Sequence, residues 1–210
     1  DMYAYGKQLP SYFLNYALIS PLIFTLGIVY FQAPLYFGQN HVALGTLILT
    51  GSCIIPTLVV VFHVTFSLLF DLERQRYVDY QLTLLNPRLI IIERILFASF
   101  YGFILLIPYF PFCYLIGRSH IDFSNASWPA LMLILYLGCL CAASYHQLAA
   151  IILTSSRQLS IFWIRVNNIL TMLGGFFIPF KTIAAYSPLL SYLLYFNPLL
   201  YYTEGIRQSL

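Results

Sequence analysis

The strongest constraint in this sequence is a series of apolar runs about as long as a bilayer is thick. A helix needs about 20 consecutive apolar residues to cross the hydrocarbon core. Five stretches qualify: Tyr12–Phe37, Val42–Phe70, Leu89–Gly117, Trp128–Leu153 and Ile161–Phe180. Backbone polar groups have no water to bond to in lipid, so spanning segments are helices or closed barrels. A barrel would show short alternating segments, and these runs are long and continuous. The fold class expected is therefore an all-α membrane protein with five visible transmembrane helices.

Composition agrees. Only 8% of the 210 residues are charged and 60% are hydrophobic, against roughly a quarter charged in a soluble domain. Too little charge remains to coat a water-facing surface, and far too little for a disordered chain. A net charge of +3, with scattered basic residues, gives no nucleic-acid footprint. Cys53, Cys113, Cys139 and Cys141 all lie in apolar runs and read as small buried hydrophobes. No metal-ligand spacing is present, and no signal peptide is visible at the start.

Loop charges set the orientation. With the N-terminus in the cytoplasm, Lys7, Arg74, Arg76, Arg88, Arg94, Arg157 and Arg165 lie on or near the inner side, and Arg118, Lys181 and Arg207 lie outside. That bias follows the positive-inside rule. The longest inner loop, Asp71 to Arg88, carries an amphipathic pattern: Gln75, Arg76, Asp79 and Thr83 on one side, and Tyr77, Val78, Tyr80, Leu82, Leu84 and Leu85 on the other. Asn86-Pro87 ends it. It reads either as a helix resting on headgroups or as a docking helix for a cytoplasmic partner. After the fifth run, Pro188 and Pro198 split an aromatic tail into pieces too short to cross, which predicts a re-entrant or interfacial hairpin on the outer side. Its tyrosines suit a headgroup boundary.

Chemistry-bearing residues are few. Catalytic nucleophile, zinc-protease and phosphate-loop motifs are absent. No carboxylate sits mid-span, so a proton relay has no carrier and the driving energy has to come from another polypeptide. Glu93, Arg94 and Arg165 lie near span ends, where long side chains reach the interface. Asn15, His63, Asn167 and Asn168 are polar residues inside spans, with His146 near the inner end of the fourth. Interhelical hydrogen bonding is their expected role, with a place along a transport pathway as the functional alternative. His41 and His120 read as loop residues with no metal role.

The C-terminal stretch carries a specific pattern. Gly174-Gly175-Phe176-Phe177-Ile178-Pro179 is followed by Asn197-Pro198-Leu199-Leu200-Tyr201 and then Glu204-Gly205-Ile206-Arg207. Together with Leu84-Leu85-Asn86-Pro87, this resembles the membrane permease of type-2 ABC exporters, and the likeness covers the chain in span order and loop length. It departs from that family in an additional Pro188 in a Tyr-rich hairpin and in a short segment, Asp1–Pro10, before the first span. A sixth span is also missing, which raises the expectation of one permease domain (residues 1–210) cut from a longer protein.

The resemblance implies a function and a set of partners. The chain would be the permease subunit of an ATP-driven exporter moving lipid-like, glycolipid or polysaccharide, or drug-like cargo outward. It would pair with a second permease copy and a cytoplasmic ABC ATPase that holds the ATP and Mg, with no cofactor or catalytic residue of its own. Arg76, Tyr77, Tyr80, Leu84, Leu85, Asn86 and Pro87 would form the coupling segment. The location implied is a bacterial inner membrane. A channel or gradient-driven carrier, and a membrane-embedded lipid transferase using His63 or His146, are the rival readings of the residues.

Overall fold

A computed structural model describes residues 11, 13–19, 22–23, 25–27, 41–73, 86–117, 121–153, 155–176 and 178–210. Every regular element among them is helical. In chain order, a π-helical segment Phe13–Ile19 precedes α1 (His41–Ser52), α2 (Ile54–Glu73), α3 (Pro87–Leu106), α4 (Tyr109–Gly117) and α5 (Trp128–Ile152). Then come α6 (Ser156–Phe162), a π turn Trp163–Asn167, α7 (Asn168–Leu173), α8 (Phe180–Tyr186), α9 (Pro188–Leu194) and α10 (Pro198–Ser209).

Three helical runs among the described residues are long and apolar enough to cross a membrane: Gly45–Phe66, Arg88–Ile116 and Trp128–Ile152. They coincide with the second, third and fourth apolar stretches. The first stretch falls largely outside the described residues. The fifth begins as the run α6–π turn–α7 and ends at Gly174.

Proline sets the interruptions. Pro56 has no N–H for the carbonyl four residues back, at Ser52, and the chain makes a turn at Cys53 between α1 and α2. Pro108 and Pro111 act the same way on Ile104 and Ile107, where α3 gives way to α4. Pro87 does the opposite. At the first helical position its missing N–H costs nothing, and Asn86 Oδ1 accepts from Arg88 N at 3.1 Å, so α3 starts abruptly from a capped end.

The long helix α5 is the centre of the bundle, packed against α2, α3 and α10. Leu131, Leu135, Cys139, Ala142 and Ala143 form its inward stripe. On α3, Ile90, Ala98, Tyr101 and Leu105 are buried, while Leu89, Ile92, Leu96, Phe100 and Ile104 recur at helical spacing on an exposed stripe. Cys53, Cys113 and Cys139 are buried as expected. Cys141 is exposed, because it lies on the outward side of α5, where an apolar sequence gives no hint of direction.

Candidate functional site

The C-terminal motif folds into a polar knot that ties α10 to four other segments. Its first strand of contacts comes from Asn197. The side-chain Oδ1 accepts from Leu199 N at 3.0 Å and caps α10, with Pro198 at the first helical position. The Nδ2 donates to Leu170 O at 2.8 Å, so the start of α10 is fixed to α7. One amide thereby sets both the beginning and the placement of the helix.

The second set centres on Arg207 and Glu204, one helical turn apart. Arg207 Nη1 donates to Glu204 Oε1 at 2.7 Å, with the two side chains only 10% and 23% exposed. The rest of the guanidinium fork is spent on other segments. Nε donates to Thr50 Oγ1 at 3.2 Å, and Nη2 donates to Leu47 O at 3.4 Å and to Gly175 O. Glu204 Oε1 also accepts from Phe180 N at 3.0 Å, the first residue of α8. The pair therefore joins α10, α1, the Gly174–Gly175 turn and the entry to α8. Five fixed donors in a planar fork suit this task, and a lysine would not reach the same set.

Glycine makes the approach close enough. Gly175 has φ +82°, a conformation that other residues rarely adopt, and a Cβ there would lie 2.8 Å from Thr203 Oγ1. Thr203 Oγ1 donates to Gly174 O at 2.6 Å. A Cβ on Gly51 of α1 would fall 2.0 Å from Phe176 O. Deeper in the bundle, Tyr202 OH is 2.8 Å from Thr57 Oγ1 and 3.5 Å from Cys53 Sγ. Its ring fits only because Gly138 carries no side chain. Tyr109 OH and Ser52 Oγ, 2.7 Å apart, extend the polar contacts on the α1 side.

Of the motif residues singled out in the sequence, Gly174, Gly175, Asn197, Pro198, Glu204 and Arg207 converge in this knot. Pro179 precedes α8 as its N-cap. Tyr201 does not enter the core: it is 58% exposed and its OH donates to Tyr195 O at 2.9 Å. The neighbouring Tyr202 takes the buried role. Thr50, Thr57, Tyr202 and Thr203 are the members that sequence reasoning missed. Tyr202 and Thr203 had only their helical spacing from the motif as a signal, which tells which residues share a face but not which face is inside, and Thr50 and Thr57, on other helices, had none.

The polar span residues are dispersed. Asn15, His63 and Asn168 are exposed. Asn167 is buried on the π turn, and its Nδ2 lies 3.1 Å from His146 Nε2 on α5. With the amide donating, the ring proton sits on His146 Nδ1. Trp163, at the other end of the π turn, stacks on the same imidazole at 6.2 Å, and Phe62 and Phe66 meet it from α2. Arg76, Tyr77, Tyr80, Leu84 and Leu85 lie outside the described residues. Asn86 and Pro87 form the capped start of α3.

Chemically the knot is a mechanical joint: its charges are satisfied by one another and by backbone carbonyls. Among the described residues no group of His, Cys, Asp and Glu is placed to hold a metal. The apolar helical spans define an integral membrane protein whose polar interactions serve to hold helices in register. The family model of the ABC-2 type transporter matches residues 4–210. The chain belongs to that family, and so is a membrane permease component of an ABC transporter, a class that works in association with an ABC ATPase. No match was found among curated proteins or among solved structures.

Proposed function

We propose that the chain is the transmembrane subunit of an ATP-driven exporter that moves a lipid-like, glycolipid or polysaccharide, or drug-like cargo outward. Two copies would form the pathway, each served by a cytoplasmic ATPase that binds ATP and Mg, in a bacterial inner membrane with the N-terminus inside. The single observation that carries this reading is the family match over nearly the whole chain. The charge pattern of the spans supports it: Gly45–Phe66 and Trp128–Ile152 hold no Asp, Glu, Lys or Arg, and Arg88–Ile116 holds them only in its first two turns. Such spans have no mid-span carboxylate with which to couple to a proton gradient.

The coupling segment is Arg76 to Pro87. Support comes from its far end, where Asn86 and Pro87 give α3 a sharply capped start. A push on the residues before Asn86 would be delivered to a rigid helix that packs on α2 and α5. The N-terminal span, the α6–α7 run as a fifth span, and α8–α9 as an outer hairpin complete the domain. Asn15, His63, Asn167 and Asn168 are the polar positions assigned to the pathway.

The test is association with the ATPase. Co-expressed ATPase is expected to co-purify with the chain and to be lost when Tyr80→Glu or Leu84→Glu places a charge on the apolar side of the segment. Transport of a fluorescent amphiphile by the purified chain alone, with no ATPase present, would refute the proposal.

A further inference from the structure

At one end of the bundle, remote in sequence from both the knot and the coupling segment, the end of α4, the segment 121–124 and the start of α5 line an open cavity of about 410 Å³. Its walls are Tyr114, Ile121, Asp122, Phe123, Ser124 and Trp128. Three rings make a corner. Tyr114 stacks on Phe123 at 5.6 Å and 23°, and Trp128 stands across Phe123 at 6.1 Å and 87°. Tyr114 and Trp128 are 37% and 40% exposed, so they present ring surface outward, while Phe123 is rooted in the core. Asp122 completes the corner as the lone carboxylate among the lining residues.

The corner is held open by its own backbone. Asp122 N donates to Thr46 Oγ1 at 3.1 Å, Ala126 N to Phe123 O at 3.2 Å, and Ser127 N to Ser209 O at 2.7 Å. Ser124 N donates to Asp122 Oδ1 at 2.9 Å. That bond, from the Ser124 backbone first and its side chain second, holds the Asp122 carboxyl below the usual carboxylate range. The side chain is therefore an anion at neutral pH, and it lines the same cavity as the Tyr114, Phe123 and Trp128 rings.

Aromatic faces attract cations through their quadrupole, and a nearby carboxylate adds charge without requiring a hydrogen-bond donor from the ligand. A hydrated metal ion gains little from rings. A large, weakly hydrated ammonium gains from both features, and a cavity of this volume is at the size of small-ligand sites. We infer that the Tyr114–Phe123–Trp128 corner with Asp122 is a binding site for a quaternary or alkylated ammonium group, supplied by a zwitterionic lipid headgroup or by a free organic cation. Tyr114 lies near the end of one spanning run and Trp128 at the start of the next, so the site sits where a spanning helix leaves the hydrocarbon. Binding there requires no ATPase and no transport, so this inference stands or falls separately from the proposed function.

Trp128 and Trp163 are the only two tryptophans in the sequence, so Trp163→Phe leaves Trp128 as a reporter. The protein is placed in phosphatidylglycerol nanodiscs and titrated with tetramethylammonium or choline, with sodium and potassium chloride at matched ionic strength as controls. A saturable change in Trp128 emission with the organic cations alone is expected if the ligand is a free solute. The same change appearing in phosphatidylcholine nanodiscs without added solute identifies the headgroup as the source. Either result supports the site, provided that Asp122→Asn and Tyr114→Leu weaken it by about tenfold or more while Asp122→Glu and Tyr114→Phe retain it. Asp122 is exposed, so its variants leave the core intact. A response absent from both lipid compositions, or one that Asp122→Asn leaves unchanged, overturns the inference.

Discussion

Removing Arg207 tests whether the knot is a coupled unit or a set of independent contacts. In Arg207→Ala, Glu204 loses its cation while its carboxylate stays only 23% exposed, and retains only the Phe180 N–H. Breaking one side of a buried pair costs about 3–5 kcal/mol, and the partial exposure of Glu204 lowers that to about 2–4 kcal/mol. The loss includes the bonds to Thr50, Leu47 and Gly175, although Leu47 O keeps its bond from Thr50 Oγ1. Glu204→Ala leaves the cation with three neutral acceptors and uncaps α8, for about 2–3 kcal/mol. The double variant leaves neither charge unpaired, so its cost is expected to fall short of the sum by about 1–3 kcal/mol. The measurement is reversible unfolding in mixed micelles by SDS titration, followed by far-UV circular dichroism, on the parent and all three variants. Additivity to within about 0.5 kcal/mol would show that the two side chains act separately, and the description of a coupled knot would be wrong.

Three further outcomes follow from the same contacts. Gly51→Ala drives a Cβ to 2.0 Å from Phe176 O and should destabilise by about 1–3 kcal/mol despite the better helix propensity of alanine, whereas Gly27→Ala, with nothing within 4 Å, should be neutral or slightly stabilising in the same unfolding assay. Asn197→Ala removes both the α10 cap and the bond to Leu170 O; a loss of about 1–2 kcal/mol is expected, with faster amide exchange at Leu199 and Leu200. Asn86→Ala should cost about 1 kcal/mol and raise hydrogen exchange in the first turn of α3, leaving α5 unchanged.

The helical runs were legible because lipid imposes a length. Gly45–Phe66, Arg88–Ile116 and Trp128–Ile152 fall where apolar stretches of about 20 residues predicted them. The motif residues were also legible as a cluster, since Asn197-Pro198 announces a helix start and Glu204 and Arg207 are one turn apart. Their partners were not. Thr50 is 157 residues from Arg207, and nothing in either neighbourhood names the other.

What the sequence by itself determined is the solvent and the crossing elements: charge is too sparse for water, and unbroken apolar runs have to be helices in lipid. What only the tertiary structure decided is direction. In a soluble helix the polar face points out and the apolar face in, so periodicity reveals the core. Here Leu96 and Leu105 on the same helix are equally apolar, yet one is 49% exposed and the other 1%. Tyr201 and Tyr202 differ in the same way by one position. With lipid on one side and protein on the other, hydrophobicity no longer separates outside from inside. Close approach of the Phe176 backbone to Gly51 and of the Tyr202 ring to Gly138, and the few hydrogen bonds that converge on Arg207, make that choice instead.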